Sequence, residues 1–143
     1  KSQLTNHRVG LYQSWRPNMD EGWTRYVLDD LEIPFTTLHN KDFKGEKNKK
    51  VDLSKKYDVI VFASEGADII KDGKRSPSAQ SRRYSRGGNT LPEYEGGIGK
   101  EGVDALKKFV EDGGILVTLN DACGLAFKEF SVPAQNALER VFP

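Results

Sequence analysis

The sequence predicts a doubly wound α/β domain, a mainly parallel sheet with helices on both faces. Two features lead there: short runs dominated by apolar, often β-branched residues, and amphipathic helical stripes set between them. Strands that are apolar on both sides and alternate with helices form parallel sheets covered on both faces. Right-handed crossovers then leave few topologies, of which a flavodoxin-like strand order is the simplest.

The elements follow in order. Arg8-Val9-Gly10-Leu11-Tyr12-Gln13 is a first strand, broken by Ser14-Trp15-Arg16-Pro17. Asn18 offers a helix cap with Glu21 three residues on, a near capping-box spacing. Trp23, Tyr26, Val27 and Leu31 then lie on one stripe of a helix over 19–31, which places Trp23 in the core, and Pro34 ends it. A second strand covers 35–39. Residues 41–56 are mostly charged and read as a surface connection with at most one helical turn. Tyr57-Asp58-Val59-Ile60-Val61-Phe62-Ala63 is the clearest buried strand. Residues 64–99 show little regular pattern, and within them 71–88 form a basic, flexible loop with Lys71, Lys74, Arg75, Arg82, Arg83 and Arg86. Val103, Leu106, Phe109 and Val110 mark a helix closed by Gly113-Gly114, and residues 115–119 form the fourth strand. Asp121 can cap a last helix with Ala122, Leu125, Ala126 and Phe130 inward.

Composition bounds the function. A chain of 143 residues suits a single domain over 1–143. It opens on Lys1 and closes on Val141-Phe142-Pro143, and reads as a piece of a longer polypeptide. Net charge is +1, and Tyr84 is the lone aromatic of the basic loop, so a nucleic-acid partner is not expected. No window approaches the ~20 apolar residues of a membrane span. One cysteine excludes an internal disulfide framework, and His7, His39 and Cys123 lack the spacing of a zinc site. Gly96-Gly97-Ile98-Gly99 has neither a preceding strand nor a Gly-Lys-Ser/Thr, so a Walker loop is excluded.

In open α/β sheets ligands bind at the carboxyl ends of the strands. That rim gathers Ser14, Trp15 and Arg16 after the first strand, Ser64 and Glu65 after the third, and Asn120 and Asp121 after the fourth, with Asp20 nearby. Trp15, Arg16, Asp20, Ser64, Glu65, Asn120 and Asp121 are therefore the candidate ligand or partner residues. Cys123 is the candidate nucleophile, because a thiol in a helix's first turn gains from the dipole, with Glu21 or Glu65 as acidic neighbour. Against it, an elbow nucleophile occupies the turn directly after the strand, here Asn120 or Asp121. No histidine follows Cys123, and free cysteines are often simple packing residues. For Asp20 and Glu21 the plainer role is helix-start electrostatics.

Met19-Asp20-Glu21-Gly22-Trp23-Thr24-Arg25, Tyr57-Asp58-Val59-Ile60-Val61 and Leu91-Pro92-Glu93-Tyr94-Glu95-Gly96-Gly97-Ile98-Gly99, with the helix ending Gly113-Gly114, carry a resemblance. Over 8–138 the chain resembles the class I glutamine amidotransferase-like domain that follows the catalytic domain in some bacterial secreted zinc carboxypeptidase-like proteins. The resemblance implies a flavodoxin-like domain without a working amidotransferase triad. It also implies an extracytoplasmic location, a peptidase domain of the same parent chain as partner, and zinc held only in that peptidase domain. No cofactor is expected within these residues, and the basic insertion at 71–88 departs from the family pattern.

The leading reading is thus a non-catalytic accessory domain acting through the strand-end rim and residues 64–99. The rival is a cysteine-dependent hydrolase or amidotransferase-like enzyme using Cys123. A small-molecule or anion sensor at the rim is a third class, resting on fold analogy.

Overall fold

A computed structural model describes residues 7–15, 17–45, 51–73 and 96–134. Its strands are β1 (Val9–Tyr12), β2 (Phe35–Leu38), β3 (Val59–Phe62) and β4 (Ile115–Thr118). They form one all-parallel sheet in the order β2-β1-β3-β4. The helices are α1 (Met19–Asp30), α2 (Ala67–Asp72), α3 (Gly99–Glu111) and α4 (Cys123–Glu129), with 3-10 turns at Asn40–Phe43 and Asn120–Ala122. The architecture is the doubly wound α/β fold with flavodoxin-like strand order.

Side-chain alternation assigns the two faces. Tyr12, Leu38, Ile60 and Phe62 point to one side, joining Phe43, Leu53, Ile70, Ile98, Val103, Leu106, Phe109 and Leu125 in a single core. The rings of Tyr12, Phe43 and Phe62 meet at its centre, with centroids 4.8 Å (Tyr12–Phe62) and 5.9 Å (Tyr12–Phe43 and Phe43–Phe62) apart. Helices α2, α3 and α4 cover this side. At Gly102 of α3 an added Cβ would lie 2.6 Å from the Cβ of Ile98 and 3.0 Å from that of Phe43, so the absence of a side chain lets the helix seat against the 3-10 turn.

The opposite side carries Val9, Leu11, Val59, Val61, Ile115 and Val117, and among the described residues α1 is the helix on it. Asn18 caps α1 by accepting from the backbone N–H of Asp20 (2.9 Å) and Glu21 (3.3 Å). The Glu21 side chain does not close a capping box; it turns to Arg25, 2.5 Å away. Arg25 in turn donates to Thr37 Oγ1 (3.1 Å) and stands 5.1 Å from the Phe35 ring centroid, anchoring α1 over β2.

This anchoring overturns the expected burial of Trp23. Trp23 is 61% exposed while Glu21 is buried, and Tyr26, Val27 and Leu31 are also exposed. The apolar stripe faces away from the sheet because the Glu21–Arg25 side of the helix makes the contacts to β2. Residues 41–56 also differ from the expected surface connection: Phe43 and Leu53 are buried at 1% and 2%. Two apolar residues ten positions apart in a charged background leave no periodic signal. Residues 64–99 contain α2, which includes Lys71 and Asp72 of the expected loop, and Lys71 pairs with Glu129 of α4 at 2.5 Å. The rest of that loop, from residue 74, lies outside the described residues.

At the amino end of the sheet, Asp58 accepts from the backbone N–H (2.8 Å) and guanidinium (2.6 Å) of Arg8, and Arg8 also donates to the carbonyl of Lys55. The hydrogen bond from Arg8 holds the Asp58 carboxyl down to about 2. A carboxylate whose folded value lies below its unfolded ~3.9 stabilises fully above that value and loses the contribution as pH falls toward 2. We therefore expect the stability advantage of the native chain over Asp58→Asn, measured by urea unfolding, to be constant above about pH 5 and to shrink between pH 4 and 2. In the core, Phe43→Ala should cost about 3–5 kcal/mol in the same assay.

Candidate functional site

The carboxyl ends of β1, β3 and β4 converge on a polar cluster. Directly after β1, the hydroxyl of Ser14 donates to Glu65 Oε1 at 2.7 Å, and both residues are buried. Beside them, Asn18 Nδ2 donates to the carbonyl of Ser64 at 2.8 Å, so the residue that caps α1 also ties it to the loop after β3. From the end of β4, Asn120 Nδ2 donates to Ser64 Oγ at 3.0 Å. The three strand-end loops are thus stitched into one rim by Ser14, Asn18, Ser64, Glu65 and Asn120.

Asn120 holds a left-handed backbone (φ 47°) in the turn directly after β4. This conformation is uncommon outside glycine, and asparagine is among the residues that tolerate it best. It is the turn in which an elbow nucleophile stands, and here an amide fills it. Cys123 comes later, as the first residue of α4, and points back at the sheet: its thiol donates to the Thr118 carbonyl (3.2 Å) and accepts from Thr118 Oγ1 (3.6 Å).

Beneath the rim, the Tyr12 hydroxyl donates to Asn40 Oδ1 at 2.7 Å, and Asn40 Nδ2 donates to the Gly96 carbonyl at 2.7 Å. Burial, reinforced by the Glu65 carboxylate, pushes the Tyr12 phenol well above its ordinary value, so it serves as a neutral donor. Tyr12 and Asn40 escape the sequence reading because a tyrosine ending a strand and an asparagine after one look like ordinary packing and turn residues. Only the fold brings them together.

Among the residues singled out from sequence, Ser64, Glu65 and Asn120 share this network. Trp15 is half exposed at its edge, and Asp20 and Asp121 are exposed. Glu21 belongs to the Arg25 pair, not to Cys123, and Arg16 lies outside the described residues. His39 Nδ1 is 3.3 Å from the Gln13 carbonyl, away from the thiol's partners. Among the described residues no three His, Cys, Asp or Glu side chains are grouped to hold a metal ion, and no helix is long and apolar enough to cross a membrane. Chemically, the rim is a hydrogen-bonding surface of carboxylate, hydroxyl and amide groups. No protein-family model, curated protein or solved structure matches the chain.

Removing the Ser14 hydroxyl leaves a buried carboxylate short of a donor, at a cost of about 1–3 kcal/mol. Ser14→Ala should therefore lower the melting temperature by several degrees, whereas Asp121→Asn, at an exposed position, should leave it unchanged.

Proposed function

We propose that this chain is a non-catalytic interaction domain of a larger zinc carboxypeptidase-like protein, contacting its peptidase domain through the strand-end rim and the segment after β3. The observation that carries the non-catalytic reading is the elbow after β4. Asn120 holds the strained seat and engages Ser64, while the one thiol is turned back onto Thr118. The glutamate nearest the rim, Glu65, accepts from the Ser14 hydroxyl. The peptidase parent rests on the resemblance of residues 19–25 and 91–99 to such accessory domains. That parentage also implies export from the cytoplasm, and zinc would belong to the parent's catalytic domain.

The reading is tested by offering the chain glutamine and simple esters and following iodoacetamide labelling of Cys123 from pH 5 to 10. We expect no turnover, and labelling much slower in the native state than in urea. Turnover that Cys123→Ala abolishes would overturn the proposal and establish a cysteine-dependent hydrolase in its place.

A further inference from the structure

At the amino ends of β3 and β4, opposite the strand-end rim, the chain forms a cleft of about 390 Å³. Sites that hold small molecules run roughly 300–1,000 Å³. The walls are His7 ahead of β1, Ser54, Tyr57 and Asp58 ahead of β3, and Asp112 and Ile115 at the turn from α3 into β4.

Backbone bonds fix these walls against one another. The N–H groups of Asp58 and Val59 donate to the Arg8 carbonyl at 2.9 and 3.2 Å. Tyr57 N–H donates to the Leu53 carbonyl and Ile115 N–H to the Asp58 carbonyl, both at 2.9 Å. Gly114 has no room for a side chain, because an added Cβ would lie 2.4 Å from the Phe109 ring that backs the cleft. The shape is therefore set before any ligand arrives, which lowers the ordering cost of binding.

The charges on the walls are already matched. Asp58 pairs with Arg8 at 2.6 Å and Asp112 with Lys108 at 2.5 Å. A cation or an anion entering here meets no unmatched carboxylate or cation of the kind that charge recognition uses. The hydrogen-bonding capacity, by contrast, is not spent. Among the described residues nothing bonds to the Tyr57 hydroxyl, to the His7 ring nitrogens or to Asp112 Oδ1. Ser54 Oγ donates to Asp112 Oδ2 at 3.3 Å and keeps its lone pairs. Burial and the Asp42 carboxylate raise the Tyr57 phenol, which keeps its proton to donate. Donors and acceptors are thus interspersed, an arrangement that hydroxyl groups, each donor and acceptor at once, can satisfy. Ile115, 54% exposed, adds an apolar side for carbon-bound hydrogens.

We propose that this cleft binds a neutral polyhydroxylated small molecule of mono- or disaccharide size, held by His7, Ser54, Tyr57 and Asp112. It lies at the opposite end of the strands from the rim, so its fate does not depend on that of the interaction-domain reading.

The test is titration of the full chain with glucose, maltose and cellobiose, followed by amide shifts in nitrogen-proton correlation spectra. Spermidine and citrate serve as cationic and anionic controls. At least one sugar should give saturable shifts at millimolar concentration, concentrated at residues 54–58 and 112–115. Tyr57→Phe and Asp112→Ala, with folding checked by circular dichroism, should each weaken that binding roughly two- to tenfold, the worth of one hydrogen bond. Trp23→Ala, on α1, should leave it unchanged. No saturable shift with any of the sugars, binding indifferent to both cleft variants, or shifts spread evenly over the surface would overturn the proposal. Stronger shifts of the same amides by spermidine or citrate would overturn it in favour of an ionic ligand. Binding that emerges only in a chain lacking residues 1–6 would overturn it in favour of that segment as the cleft's occupant.

Discussion

A buried phenol must keep its proton and find an acceptor, and much of this structure is arranged around that demand. Tyr12 ends the central strand with its ring packed between Phe43 and Phe62 and its hydroxyl bonded to Asn40. To accept that bond, the chain after β2 must turn at once into the 3-10 segment, which also brings Phe43 under α3. Asn40 passes the constraint on to Gly96 and so fixes the chain just ahead of α3. One side chain thereby sets the relation of β1, β2, β3 and α3, and an unpaired polar group at this depth would cost a large share of a domain's net stability.

The two sheet faces obey different rules. On the core side, helices seat by apolar contact and glycine-permitted close approach. On the other side α1 is held at its amino end and along one flank by polar groups: the Asn18 cap, the Glu21–Arg25 pair and the Thr37 bond. Directional contacts fix the rotation of a helix about its own axis, whereas hydrophobic burial only favours a side. That difference explains how an apolar stripe ends up facing away from the strands.

The architecture was legible because β-branched runs such as 59–62 and the stripe Val103, Leu106, Phe109 are periodic over enough residues to define a face. The Asn18 cap and the glycine stop at 113–114 were readable for the same local reasons. Helix α2 was not legible, since six residues give too little of a helical period, and Phe43 was not, since its partners are distant in sequence. Trp23 shows the limit of periodicity, which reports that a helix has an apolar side and not what that side meets. At the rim, Ser64, Glu65 and Asn120 were identifiable from their places after strands. The Ser14–Glu65 bond and the orientation of Cys123 depend on side-chain directions that no spacing encodes.

The way α2 ends has its own consequence. Gly73 closes the helix with φ 68°, so tightly against Gly96 that a Cβ there would meet the Gly96 carbonyl carbon at 2.4 Å. Gly97 presses on the last turn of α2, and Ile98 N–H donates to the Ile70 carbonyl at 2.8 Å. Residues 73 and 96 are thus held backbone against backbone, so the segment between them begins and ends at nearly the same place. Doubling the length of a flexible segment closed in this way adds only about 0.6 kcal/mol of loop-closure entropy. A reporter domain or an affinity tag inserted between these two glycines would therefore ask little of the pairing between β3 and β4, which stay in register on either side of it.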